Sequence, residues 1–213
     1  GLVRVIPKPL KDWLAEASLE IRVSDGGPAR ITIVDEAGEA LMPVAAVSGQ
    51  TLAVRTGCVY TANGLAKLTL PAGRYRVSAG RGFEYSMAQA SISLETGESR
   101  TLELDVRREV ETPGLVACDT HIHTFQFSGH GDATALERAI TLAGEGIELA
   151  ICTEHNQHAG YADAVRAAGV EARLTVVPGN EVTTPKGHFN VFPVTPGAPV
   201  PDSKLTDWPR LMD

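Results

Sequence analysis

The hydrophobic period changes once along this chain, and that change decides what each half can fold into. Up to about residue 110, apolar and polar residues alternate in short runs: Ile31-Thr-Ile33, Leu68-Thr-Leu70, Tyr75-Arg-Val77, Ile92-Ser-Leu94 and Leu102-Glu-Leu104-Asp-Val106. Successive side chains of a strand point to opposite faces, so this alternation predicts strands with one face buried and one wet. Turn signals punctuate the runs at Asp25-Gly-Gly-Pro28, Glu36-Ala-Gly38, Asn63-Gly64, Pro71-Ala-Gly73 and Thr96-Gly97. Short strands at this spacing predict a small antiparallel β-sandwich.

Glu109-Val-Glu-Thr-Pro113-Gly114 interrupts that pattern. It sets a boundary between an all-β domain, residues 1–112, and an α/β domain, residues 113–213. Beyond it, apolar strand runs alternate with helical ones. Leu115-Val-Ala-Cys118, Ile147 to Thr153 and Leu174-Thr-Val-Val177 read as buried strands, and Asn190-Val-Phe192 as a fourth short one. Asp132 is placed to cap a helix running to about Glu145, with Leu136, Ala139, Ile140 and Ala143 forming one apolar stripe. A second helix runs from Tyr161 to about Ala168 and stops at Gly169. Strand–helix alternation predicts parallel βα units with ligands at the C-terminal ends of the strands.

All six histidines lie between His121 and His188. They fall with carboxylates into three groups, each at or just past one of those strand ends: Asp119-Thr-His121-Ile-His123, Thr153-Glu154-His155-Asn156, and Gly179-Asn-Glu181 followed by His188-Phe-Asn190. His121 and His123 are two apart, so in extended backbone both rings can reach one ion. His130 lies in a glycine-flanked loop and is a further candidate ligand. His158 reads as a rim residue and Lys186 as a solvated loop charge.

Three cysteines, Cys58, Cys118 and Cys152, make no disulfide framework and read as buried free thiols; Cys118 and Cys152 would lie at equal depth if their strands are neighbours. The formal net charge is −7, of which residues 114–213 carry −6, with 6 Lys/Arg against 12 Asp/Glu. Nucleic-acid surfaces need a basic stripe, so no nucleic-acid partner is expected. An acidic half suits a site whose anionic ligands are offset by cations. No apolar stretch is long enough for a membrane-spanning helix. The chain begins Gly-Leu-Val-Arg, consistent with a processed start, and leaves the compartment and oligomeric state open.

Two resemblances sharpen these expectations. Leu70-Pro-Ala-Gly-Arg-Tyr75 with Gly80-Arg-Gly-Phe-Glu-Tyr85 resembles the carboxypeptidase-regulatory or transthyretin-like sandwich module, over about residues 18–107. This implies an accessory domain in which Arg81, Glu84 and Tyr85 are ordinary loop or edge residues. Asp119-x-His121-x-His123-Thr124, Thr153-Glu-His-Asn156 and Gly179-x-Glu181 resemble the successive motifs of the PHP (polymerase and histidinol phosphatase) metallohydrolases. The longer string from Asp119 to Asn190 resembles their carbaryl-hydrolase-like branch.

The PHP resemblance implies a distorted (β/α)7 barrel, here incomplete, because the segment Thr206-Asp-Trp-Pro-Arg-Leu-Met212 reads as the opening turns of a helix leading to strands not in this chain. It implies two or three divalent ions (Zn, Mn or Fe). His121, His123 and Glu181 would hold the first, Glu181 and His188 a second, and His130 with His155 a third, with Asp119 orienting a ligand histidine. Glu154 stands where most members carry Asp. Glu181, His155 and Asp119 would be catalytic. The implied enzyme is a hydrolase that uses metal-activated water on a small-molecule phosphoester or carboxylic ester, carbamate or amide. The alternative is a non-catalytic metal-binding or partner-docking protein with a vestigial PHP half.

Overall fold

The computed structural model describes residues 12, 14–38, 42, 44, 46, 48–195, 197–207, 209 and 210. The chain divides into two compact units: residues 1–111 with 144–146, and residues 112–143 with 147–213. Among the described residues, no helix is long and apolar enough to cross a membrane.

The first unit packs two sheets around one core. Strands β1 (Ala17–Val23), β2 (Ala29–Asp35), β3 (Leu52–Arg55), β4 (Cys58–Thr61), β5 (Leu65–Leu70), β6 (Gly73–Gly80), β7 (Ala88–Leu94) and β8 (Ser99–Leu104) form it. One sheet has the order β5-β1-β8 and the other β3-β4-β2-β6-β7. Every pairing is antiparallel except β1 with β8. The period-two pattern sets the inward faces. Leu19, Ile21, Ile31, Ile33, Val59, Leu70 and Val77 are almost wholly buried and meet in one cluster. Each such side chain contributes about 1.5–3 kcal/mol by leaving water. Tyr75 is buried with them, and its phenol donates to the Pro71 carbonyl at 2.6 Å.

Arg81 lies in the loop after β6, as expected, but it is not an ordinary loop residue. It is only 2% exposed, bonds Asp25 through two nitrogens at 2.7 and 2.8 Å, donates to the Pro28 carbonyl, and lies 4.7 Å from the Tyr85 ring centroid. A guanidinium this deep is tolerable because a carboxylate and a carbonyl take its donors.

The second unit is not a (β/α)7 barrel, complete or begun. Strands β9 (Cys118–Ile122), β10 (Leu149–Cys152) and β11 (Thr175–Pro178) form an open parallel sheet of order β11-β10-β9. Helices α1 (Phe125–Ser128), α2 (Ala135–Gly144) and α3 (Ala162–Ala168) are short. After β11 the alternation stops. Strands β12 (Asn180–Thr184) and β13 (Gly187–Val191) pair antiparallel as a hairpin, Thr184 opposite Gly187. A tight turn at Thr184-Pro-Lys-Gly187 returns the chain at once, so no crossover helix can deliver a further parallel strand there. Of the helix expected over residues 206–212, residues 209 and 210 are helical, while 208, 211 and 212 lie outside the described residues.

Two local differences have plain causes. Residues 115–117 are not a buried strand: Leu115 and Val116 are 72% and 61% exposed, and β9 begins at Cys118. Helix α2 starts at Thr134 rather than Asp132. The Thr134 hydroxyl accepts from the Glu137 N–H at 3.2 Å, and the Glu137 carboxylate accepts from the Thr134 N–H at 3.1 Å, a reciprocal cap. The two cysteines also lie at different levels. Cys118 pairs with Leu149 and is exposed, while Cys152 pairs with Ile122 and is buried, where desolvation pushes its thiol up to about 12.

Candidate metal centre

Five imidazoles and one carboxylate converge on one spot in the second unit. Strand β9 delivers His121 and, one residue past its end, His123. Their Nε2 atoms are 2.9 Å apart because the two positions share a face. Glu181 comes from β12. That strand runs beside the segment after β10, with the Glu181 N–H donating to the Glu154 carbonyl and the Asn156 N–H to the Glu181 carbonyl. This pairing sets Glu181 next to His155. His188 arrives across the hairpin, and His130 from the loop after α1.

Glu181 is the hub. It is 2% exposed, and its Oε2 lies 2.8 Å from His123 Nε2, 3.1 Å from His121 Nε2 and 3.2 Å from His155 Nδ1. Its Oε1 lies 2.6 Å from His188 Nδ1. Burial alone would raise its pKa, but hydrogen bonds from His121 and His188 outweigh that and hold the carboxyl below its usual range. His155 Nε2 and His130 Nε2 are 2.9 Å apart. Desolvation lowers the pKa of His123 against the pull of Glu181, which favours the neutral, ligating form.

Three groups of donor atoms lie within 4.8 Å of one another: His121, His123 and Glu181; His155, Glu181 and His188; and His123, His130 and His155. Nitrogen and oxygen donors about 3 Å apart suit an ion bound at about 2.0–2.2 Å from each. The donor set therefore fits a divalent transition metal.

The remaining candidates fall outside this cluster. Asp119 accepts the backbone N–H of His121 at 3.1 Å, so it steadies the end of β9 through the main chain. The ring nitrogens of His158 are buried with no hydrogen-bond partner among the described residues, which is not the setting of an open rim. Asn190 donates to the Thr120 carbonyl at 3.5 Å. Lys186 sits in the β12–β13 turn.

The residues that sequence reasoning underrated stand behind the imidazoles. Glu154 is fully buried and accepts from the Thr124 hydroxyl at 2.6 Å, from the Thr124 N–H at 3.2 Å, and from Ser128 and Tyr161. In the sequence, Ser128 signals only as part of the longer Asp119–Asn190 string, and Tyr161 only as the start of a helix. Only the fold brings them to Glu154.

No family model matches the chain, and no curated protein matches it. Among solved structures, a protein from Bacteroides thetaiotaomicron described as polysaccharide-binding (DUF1812) is 11% identical, with a TM-score of 0.31, covering 44% of this chain and 48% of that one. GBS52, the minor pilin of Streptococcus agalactiae, is 13% identical with a TM-score of 0.32, covering 46% of each chain. The pilus-presented adhesin Spy0125 (Cpa) is 17% identical with a TM-score of 0.28, covering 45% of this chain and 28% of that one. The chain spans less than half the length of each of these three.

These findings correct the identity implied by the motifs. No family model supports PHP membership, its carbaryl-hydrolase-like branch, or a carboxypeptidase-regulatory or transthyretin-like module. The expected metal-dependent hydrolase, whether phosphoesterase or ester, carbamate or amide hydrolase, is not sustained: no family model or curated protein matches the chain, and the second unit is not the barrel on which that reading rested. The physical reason lies in the scaffold. The alternation of strand and helix ends at β11, and the β12–β13 hairpin stands where the expected barrel would place its next crossover.

Proposed function

We propose that the second unit is a non-catalytic module that binds divalent metal ions through His121, His123, His155, Glu181 and His188, with His130 beside His155 at the edge of the centre. The carrying observation is Glu181: a carboxylate 2% exposed with ring nitrogens of four histidines within 3.2 Å of its two oxygens. Gathering these groups is costly without a cation, because ring nitrogens that lack protons point lone pairs at one another. A dication removes that cost.

The grouping also sets the count. The three groups share His123, His155 and Glu181 pairwise. His155 turns Nδ1 to Glu181 and Nε2 to His130, but a neutral imidazole has one lone pair to give, so two groups that share a histidine compete for it. Only the His121–His123–Glu181 and His155–Glu181–His188 groups can fill together, because Glu181 has one oxygen for each. Two ions at saturation follow, with Glu181 between them. Nitrogen-rich donors suit Zn, Mn or Fe better than Mg or Ca.

Calorimetric titration of the metal-stripped chain with Zn2+ tests the reading. It should give two ions per chain, and Glu181→Ala should weaken both. No binding tighter than millimolar, or binding unchanged in Glu181→Ala, would refute it.

A further inference from the structure

Ser128 sits where three hydrogen bonds meet, and the directions of those bonds fix a proton on His123. The Ser128 Oγ lies 3.1 Å from the backbone nitrogen of His155 and 3.2 Å from His123 Nδ1, and it bonds Glu154 Oε2. A hydroxyl offers one proton and two lone pairs. The His155 N–H can only donate, so it takes one lone pair. Glu154 Oε2 already accepts the Thr124 N–H, and the Ser128 hydroxyl donates to that same oxygen, so Glu154 takes the proton. It is fully buried and already draws two hydroxyls and an N–H, from Thr124 and Tyr161, toward its oxygens. One lone pair of Ser128 remains, and it faces His123 Nδ1. That nitrogen must therefore carry its hydrogen.

Neutral imidazole has a single N–H, so His123 Nε2 is left with a lone pair. Nε2 is the atom 2.8 Å from Glu181 Oε2 and 2.9 Å from His121 Nε2. Glu181 is the group that would otherwise draw the proton to Nε2. His121 and His188, at 3.1 and 2.6 Å, supply it with donors instead. Glu154 does not touch His123 directly; its Oε2 is 3.9 Å from Nδ1.

We propose that Glu154, acting through Ser128, locks His123 in the Nδ1–H tautomer, so that Nε2 presents a lone pair to the metal position before any ion arrives. This rests on the metal-binding reading of the cluster. Ser128 and Glu154 are thus positioning residues, set one layer behind a ligand as outer partners of metal-bound histidines are.

The test is nitrogen-15 NMR of the full chain, metal-free and labelled at histidine, at neutral pH, with the His123 signals identified by their loss in His123→Gln. The wild-type protein should show His123 protonated at Nδ1 and bare at Nε2. Ser128→Ala should lose that preference and populate the Nε2–H form, and its Zn2+ affinity should fall about 10–100-fold. Ser128→Thr keeps the hydroxyl and should restore both, which separates the lock from a folding defect. An Nε2–H form of His123 in the wild type, or a tautomer unchanged in Ser128→Ala, overturns the proposal even if zinc binds. An Nδ1–H form in a protein that binds no zinc upholds the lock and instead refutes the metal reading.

Discussion

Replacing Glu181 by Gln keeps size and shape and removes one negative charge from the centre of the cluster. Its consequence for binding follows from the two oxygens. Oε2 meets His121, His123 and His155, while Oε1 meets His188, so each of the two ions loses a charged donor. A charge-assisted contact is worth about 1.5–3 kcal/mol. At about 1.4 kcal/mol per decade, each dissociation constant should rise roughly tenfold to 150-fold. His121→Ala serves as the control, because His121 belongs to a single group and should weaken one ion while leaving the other within about threefold. Calorimetric titration with Zn2+, with circular dichroism to confirm the fold, reads both. If Glu181→Gln leaves both steps within threefold of wild type, or removes only one, Glu181 does not lie between two ions.

Other perturbations have equally definite outcomes. His155→Ala removes a donor to one of the two ions and should weaken zinc binding by titration, whereas His130→Ala, which touches neither filled group, should leave both steps within about threefold. In metal-free protein the folded pKa of His123 lies below its ordinary 6.5, chiefly through desolvation. The unfolded chain then takes up the proton first, so thermal stability should fall as pH drops through 6.5, and His123→Gln should flatten that window. Glu181, held below 4.5 despite its burial, contributes stability above that pH that should drain away below it, as acid titration of the unfolding midpoint would show. In the first unit, Asp25→Ala strands the buried Arg81 guanidinium and should cost about 3 kcal/mol by urea denaturation.

What the sequence made legible was whatever depends on near neighbours. The alternation in Ile31-Thr-Ile33 and Tyr75-Arg-Val77 marks strands because burial on one face is a local demand, and β2 and β6 bury those residues. His121 and His123 reach one spot because i and i+2 share a face. Strand β12 was not legible. Asn180, Glu181, Thr183 and Thr184 are polar, and their strand exists through pairing with Glu154–Asn156 on one side and β13 on the other. Leu115-Val-Ala-Cys118 misled in the opposite sense, since an apolar run signals burial only when something covers it. The motifs named residues that the fold brings together, but extrapolating an incomplete (β/α)7 barrel from them failed. The donors occupy three short segments, whereas a barrel depends on crossover connections that the Thr184–Gly187 turn replaces. The convergence of Ser128 and Tyr161 on Glu154 arises only from tertiary folding.

X-ray absorption at the zinc edge of the loaded chain tests the metal centre most directly. The account predicts two ions per chain with nitrogen and oxygen neighbours at about 2.0–2.2 Å and imidazole scattering beyond them. Zinc bound through sulfur at about 2.3 Å, which would implicate the exposed Cys118, or no retained zinc after dialysis, would contradict it.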